Sequence, residues 1–171
     1  IVDLYRDEHN LDEDGKDIEK LDRYETEVFA GLEKDLVKHT DKTTAKNTIE
    51  ALKLLTRHKR DFYYRSISNM FQHSHERVKE IAIQVKLADR MHNILSIECF
   101  SEEKRNYQCF KNLFILNNAK KYLLENPSRI SDSREMPSTQ LLFKRCAKAT
   151  YDAYQRLCYL MMKKGIGDTK S

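Results

Sequence analysis

Apolar side chains recur every third or fourth residue along most of this chain, and little interrupts them: 171 residues include only 4 Gly and 2 Pro. That spacing lines up one side of an α-helix, whereas a half-buried strand needs a period of two. Leu21, Tyr24, Val28, Leu32 and Leu36 form one stripe, in a helix starting at Asp17. His39, Thr40 and Asp41 mark a stop and a restart, and Ala45, Ile49, Leu52 and Leu55 form the next stripe, over 43–56. A third helix is predicted over 62–71, aromatic at its start. Ser74 is placed to cap a fourth, whose inner side carries Val78, Ile81, Ala82, Val85, Ala88, His92 and Leu95. A fifth covers 102–124 and stops at Asn126-Pro127. The last opens after Pro137 and Ser138, with Leu142, Cys146, Ala149, Ala153, Leu157 and Leu160 as its stripe. No segment alternates in period two with β-branched residues, and no repeat stands out. The expected fold is all-α, five to seven helices around one core.

Residues 1–15 are acidic and aperiodic and read as a flexible segment. A single helical domain is expected over 16–164, followed by a frayed tail over 165–171. Hydrophobic residues are 40% of the chain and charged residues 34%, the balance of a globular protein with a core. No apolar run approaches the roughly 18–20 residues a membrane span needs, so no membrane partner is expected. No basic-then-apolar leader is visible. The chain begins at Ile1 rather than Met, as a fragment or a processed product would.

The formal net charge of +4 hides an asymmetry. Residues 1–35 hold 13 acids and 5 bases, and the rest hold 14 acids and 26 bases, so a net −8 faces a net +12. The basic part suits an anionic ligand; equally, an acidic head and a solvated basic surface give the same numbers. Nucleic acid is not the expected partner, because no helix gathers Arg and Lys into a reading face. Cys99, Cys109, Cys146 and Cys158 form no C-x-x-C pair, which argues against a zinc knuckle. Buried free thiols in a reducing, cytoplasmic setting are the simplest account.

Several shorter motifs carry a bland reading beside a chemical one. "NLDEDG" starts like a calcium loop, with Asn10, Asp12, Asp14 and Gly15, but its twelfth position is Leu21 instead of Glu and its eighth is Asp17, so that reading fails. His73 and His75 in "FQHSHERVK" are spaced to share a metal, though a surface turn is the default. "LTRHKR" gathers Arg57, His58, Lys59 and Arg60, either to attract phosphate or to complement a helix C-terminus. Tyr63 and Tyr64 suit base stacking or core packing. Tyr151, Tyr154, Tyr159, Met161 and Met162 suit the core or the contact of a homodimer.

The richest chemistry lies in "VKLADRMHNI", residues 85–94, which sets Asp, Arg, His and Asn in an apolar run. Asp89 follows Val85, Leu87 and Ala88, so its carboxylate points into the bundle or at its rim. A buried carboxylate needs a cation or several donors, or it loses its charge. A metal ion meets that need, and so does an Arg within a structural polar network. The residues alone leave both open.

"KLADRMHNI" resembles the last motif of HD-domain metal-dependent phosphohydrolases, particularly guanosine polyphosphate (ppGpp) pyrophosphohydrolases of the RelA/SpoT type, where it reads K-L-A-D-R-x-H-N-x. Upstream, "ALKLLTRHKRDFYYRSISNM" is similar to the A-L-x-L-L-T-R … Y-x-x-Y-I segment that precedes that motif. Together the blocks cover residues 48–97, under a third of the chain. The resemblance implies an HD-domain-like bundle in which Asp89 is the final metal-ligand aspartate and Asn93 faces the nucleotide. Lys86 and Arg90 flank the aspartate, to support it or meet phosphate. The alternatives are a snorkelling surface lysine and an outer-face salt bridge. His92 is expected to hydrogen-bond between helices. The implied reaction uses a divalent ion, Mn²⁺, to activate water against the phosphorus of a phosphorylated guanine nucleotide, with basic side chains offsetting phosphate charge.

The chain departs from the family in lacking any His-Asp dipeptide; its histidines upstream of the two blocks are His9 and His39. A site with one carboxylate holds a divalent ion poorly. Three accounts stay open. The metal-binding half lies before Ile1, or the fold has lost catalysis and serves as a binding or regulatory module, or ligands come from His39, Asp35 or Asp41.

Overall fold

The structure, a computed structural model, describes residues 2–11, 17–56, 61–132 and 134–168, with side chains for all of these except 2–4 and 164–168. The Asp12, Asp14 and Gly15 of the calcium-loop lookalike and the Arg57, His58, Lys59 and Arg60 of the basic run lie outside them. The described residues form an all-α fold with no strand: α1 (Val2–Glu8), α2 (Ile18–Val37), α3 (Lys42–Leu55), α4 (Tyr63–Phe71), α5 (Glu76–Leu95), α6 (Glu102–Glu125) and α7 (Ser138–Asp168), with short 3₁₀ turns at Ile97–Cys99 and Pro127–Arg129. Where the periodicity suggests one core, the helices group into two compact units, Ile1–Ala82 and Ile83–Ser171.

In the first unit, α1 occupies part of the stretch expected to be flexible. Its Tyr5 ring stacks on Tyr24 of α2, centroids 3.7 Å apart, which gives a short acidic helix a surface to dock on. The stop after α2 is made by backbone: the amides of His39 and Thr40 both donate to Leu36 O. The restart is made by Asp41, whose carboxylate accepts from the Thr44 amide at 2.9 Å and the Thr44 hydroxyl at 2.6 Å, satisfying donors that a helix start leaves orphaned. Leu21, Phe29, Ala45, Ile49 and Ala51 are buried, with Ile67 and Met70 from α4. Two stripe positions are corrected: Leu32 and Leu52 are exposed, and Phe29, outside the predicted stripe, is buried. The apolar arc of α2 is wider than its buried strip, and the bulkier ring removes more surface from water.

The cap of α5 is also corrected, from Ser74 to His75. The His75 ring Nδ1 accepts from the Val78 amide at 3.3 Å, and the His73 ring Nδ1 accepts from the His75 amide at 3.2 Å. The two histidines spaced for a shared metal therefore organise a turn.

In the second unit, α6 and α7 pack against each other. Asn112 meets Cys146 and Thr150 while Cys109 clusters with Ala153 and Leu157, so the two helices run antiparallel. That cluster includes Ile94 and Ile97, with Phe100 and Ala149 packed against it. Ile83, Leu87, Ile115 and Ala119 are fully buried. The predicted inner face of α5 holds in its first half, where Val78 and Ala82 are buried, and is corrected further along: Val85 is 48% exposed and Leu95 70%, while Ile83, Leu87, Arg90 and Ile94 are buried. His92 is exposed rather than set between helices. An apolar count skips an arginine, yet here an arginine sits on the buried strip because it has partners inside. On α7, Cys146, Ala153 and Leu157 are buried as expected, whereas Leu160 is 47% exposed. The helix continues through Asp168, into the stretch expected to fray.

Candidate functional site

Lys86, Asp89, Arg90 and Asn93 fall three and four residues apart on α5, the spacing at which helical side chains meet. The structure brings all four together around one carboxylate. Asp89 Oδ2 accepts from Arg90 Nε at 3.1 Å and lies 3.3 Å from Lys86 Nζ. Asp89 Oδ1 accepts from Asn93 Nδ2 at 2.9 Å, and that amide also donates to Asp89 O at 2.8 Å. Both carboxylate oxygens are thus engaged by donors of their own helix. Asn93, which the resemblance turns toward a nucleotide, is turned back onto Asp89.

The electrostatics follow. Burial pushes the Asp89 carboxyl up, but the Arg90 guanidinium and the Lys86 ammonium together outweigh it and hold the group below the usual carboxylate range. Burial pulls the Lys86 ammonium down; Asp89 raises it again in part, while Arg90 and Lys111 of α6 add to the depression. Lys86 therefore sits beside one carboxylate and within the field of two further cations, Arg90 and Lys111. Lys111 Nζ also stands 4.0 Å from the centroid of the exposed Tyr107 ring.

Arg90 is neither an outer-face salt bridge nor a side chain reaching into solvent. It is 8% exposed, and its Nη1 donates to Gln108 Oε1 of α6 at 2.8 Å. One turn along α6, Asn112 Nδ2 donates to Arg90 O at 3.3 Å and to Thr150 Oγ1 of α7 at 3.1 Å. The Thr150 hydroxyl in turn donates to Cys146 O at 2.8 Å. Side chain and carbonyl of residue 90 are gripped by two amides of one helix, tied through threonine to the next. Asn112 Oδ1 is buried without a partner among the described residues, the one loose end of this network.

The structural-network reading of the quoted run thus has partners on two further helices, and these α6 and α7 members, Gln108, Asn112 and Thr150, were not singled out by the sequence. The available signal was Gln108 and Asn112 four residues apart inside the apolar "QCFKNLF". Glu80 was missed as well: it is 3% exposed on α5 and pairs with Arg77 at 3.1 Å.

The described residues around Asp89 do not fit a divalent ion. Among the described residues no group of three His, Cys, Asp or Glu side chains converges. Asp89 stands between two cations rather than beside a second carboxylate, so an incoming Mn²⁺ would meet like charge. The other ligand candidates are used locally: Asp35 pairs with Lys38 at 2.7 Å, Asp41 caps α3, and His39 is an exposed residue after α2. No helix among the described residues is long and apolar enough to cross a membrane. No protein family, curated protein or solved structure matches this chain.

Proposed function

We propose that this chain is a non-catalytic helical binding module, related in motif to HD-type phosphohydrolases, that takes a phosphorylated nucleotide at the Lys86–Arg90 edge of α5. The observation that carries the reading is the double engagement of Asp89: its oxygens go to Arg90, Lys86 and Asn93. A carboxylate so used organises cations; it does not collect a metal. Lys86 and Arg90 bring two cations to that carboxylate, and Lys111 acts on Lys86 from α6, so a phosphate group would meet positive charge at this edge. Guanidinium and ammonium groups are the usual partners of phosphate oxygens. The exposed Tyr107 ring beside Lys111 offers a face on which a base could stack.

The hydrolase reading keeps one observation in its favour. The Asp89 side chain retains 41% exposure, so a cation from solvent can reach it. Calorimetric titration separates the two. The module reading expects a guanosine polyphosphate to bind without added metal, more weakly as salt rises, and about tenfold more weakly in Lys86→Ala, a loss of roughly 1.4 kcal/mol. It expects no release of phosphate or pyrophosphate. Stoichiometric Mn²⁺ binding with release of either product establishes the hydrolase instead, and no nucleotide binding at all removes the module reading.

A further inference from the structure

Helix α7 outruns the helix it packs on. Asn112 of α6 meets Thr150 of α7 at 3.1 Å, and the two helices run antiparallel. Equal rise per residue sets Glu102, the first residue of α6, level with Leu160, since each lies ten residues from that contact. The α7 backbone continues to Asp168, about 12 Å beyond the start of α6. The approach to this overhang is apolar on every side: Tyr159, Leu160, Met161 and Met162 follow one another, each roughly half exposed or more. Four successive residues span the circumference of a helix, and a helix apolar all round belongs in an interior. Cys146, Thr150, Ala153 and Leu157 mark the buried face of α7. Opposite them Tyr151, Gln155, Cys158 and Met162 fall in line at steps of four and three, with Tyr154, Tyr159 and Met161 beside the line. None of the seven is charged. Tyr and Met are enriched, and Lys, Asp and Glu depleted, in the cores of protein interfaces.

We propose that this face pairs with the same face of a second copy of the chain, the two α7 helices antiparallel about a two-fold axis near Cys158. Area and charge both favour a second copy. Tyr151, Tyr154, Tyr159, Leu160, Met161 and Met162 each leave roughly 100 Å² in water, so two copies bury about 1,200 Å², where specific interfaces begin. With Cys158 on the axis, Tyr154 comes level with Met162 of the other copy, and a ring and a thioether attract each other. Asp152 and Lys163 edge the same side of the face. Asp152 is held by Lys148 at 2.7 Å, and Lys163 Nζ stands 5.0 Å from the centroid of its own Tyr159 ring. A two-fold axis across the helices brings like sides together, so each Asp152 falls beside the other copy's Lys163. A parallel pair turns opposite sides together and loses both contacts.

Sedimentation velocity of the full chain, from about 1 to 100 µM, is the test. The expected result is a species of two chains that dissociates on dilution, with a Kd of about micromolar, as suits an interface of this size. Met162→Lys and Tyr154→Lys each set a charge in the face and are expected to raise that Kd at least about tenfold. Both positions are exposed in the single chain, so helical circular dichroism stays that of the parent; if one variant does not fold, the other carries the test. A short bismaleimide is expected to join two copies through Cys158. That product survives Cys99→Ser, which removes the exposed thiol, and is lost in Cys158→Ser. A chain monomeric over the whole range overturns the proposal. So does a dimer that both lysine variants leave intact, or a cross-link indifferent to Cys158→Ser. A monomer that binds vesicles of anionic phospholipid marks the face as a lipid contact and overturns it equally.

Discussion

Replacing Arg90 by Met tests the buried network where it is most heavily used. Methionine keeps most of the apolar stem, so the packing lost is small. What disappears is the charged donor to Gln108 Oε1 at 2.8 Å and the contact with Asp89 Oδ2 at 3.1 Å. A hydrogen bond with a charged partner contributes about 1.5–3 kcal/mol, and an acceptor left buried without a donor costs about 1–3 kcal/mol, two views of largely the same loss. The Asp89 contact adds little, because that side chain is 41% exposed. The expected destabilisation is about 2–3 kcal/mol, a fall in Tm of roughly 4–10 °C for a chain of this size. Urea unfolding followed by helical circular dichroism reads it, with the slope against denaturant unchanged. The double variant Arg90→Met, Gln108→Leu removes donor and acceptor together, so it is expected to lose less than the two single variants combined. A single-variant loss below about 0.5 kcal/mol, or strict additivity, refutes the claim that Arg90 is held by Gln108 inside the fold.

Three other outcomes follow from separate parts of the structure. Ile115→Ala deletes a fully buried side chain of α6 and is expected to cost about 2–5 kcal/mol in urea unfolding, whereas Leu95→Ala at an exposed position costs under about 0.5 kcal/mol. Burial pushes the Cys146 thiol up to about 11 and raises that of Cys109, so at pH 8 mass spectrometry of the alkylated native protein is expected to find label on the exposed Cys99 first and on Cys146 last. The Asp89 carboxyl titrates lower in the folded chain than in the unfolded one, so its contribution is in place above the unfolded value, about 3.9, and is lost as pH falls through the lower folded value. The stability gap between parent and Asp89→Asn is accordingly expected at neutral pH and expected to close in acid; a gap that widens in acid contradicts the ion pairing.

Helices were legible in this chain because stripes spaced by three and four survive any tertiary arrangement, and because Asn126-Pro127 and the His39–Asp41 break punctuate them. Which face is buried was harder. On α5, Val78 and Ala82 were placed correctly, but Ile83, Leu87 and Ile94 share the buried strip with Glu80 and Arg90, so a count of apolar residues chose Val85 and Leu95 in their place. On α2 the arc was wide enough for Phe29 or Leu32 to enter the core, and packing chose the ring. The grouping of Lys86, Asp89, Arg90 and Asn93 was readable from helical spacing. Their roles were not, since spacing cannot tell whether Asn93 turns outward or donates back to Asp89. Gln108 and Asn112 stayed hidden because a mid-helix amide looks solvent-facing until a partner on another helix is in view.

The central claim is that the Asp89 carboxylate is consumed by its own helix, through Arg90, Lys86 and Asn93. A carbon-13 titration of the Asp89 side-chain carboxyl by nuclear magnetic resonance, run with and without equimolar Mn²⁺, tests it most directly. The account predicts a midpoint below the usual aspartate range and a resonance that Mn²⁺ does not broaden selectively. A midpoint at or above that range, or broadening confined to Asp89 and its neighbours at one ion per chain, would contradict it.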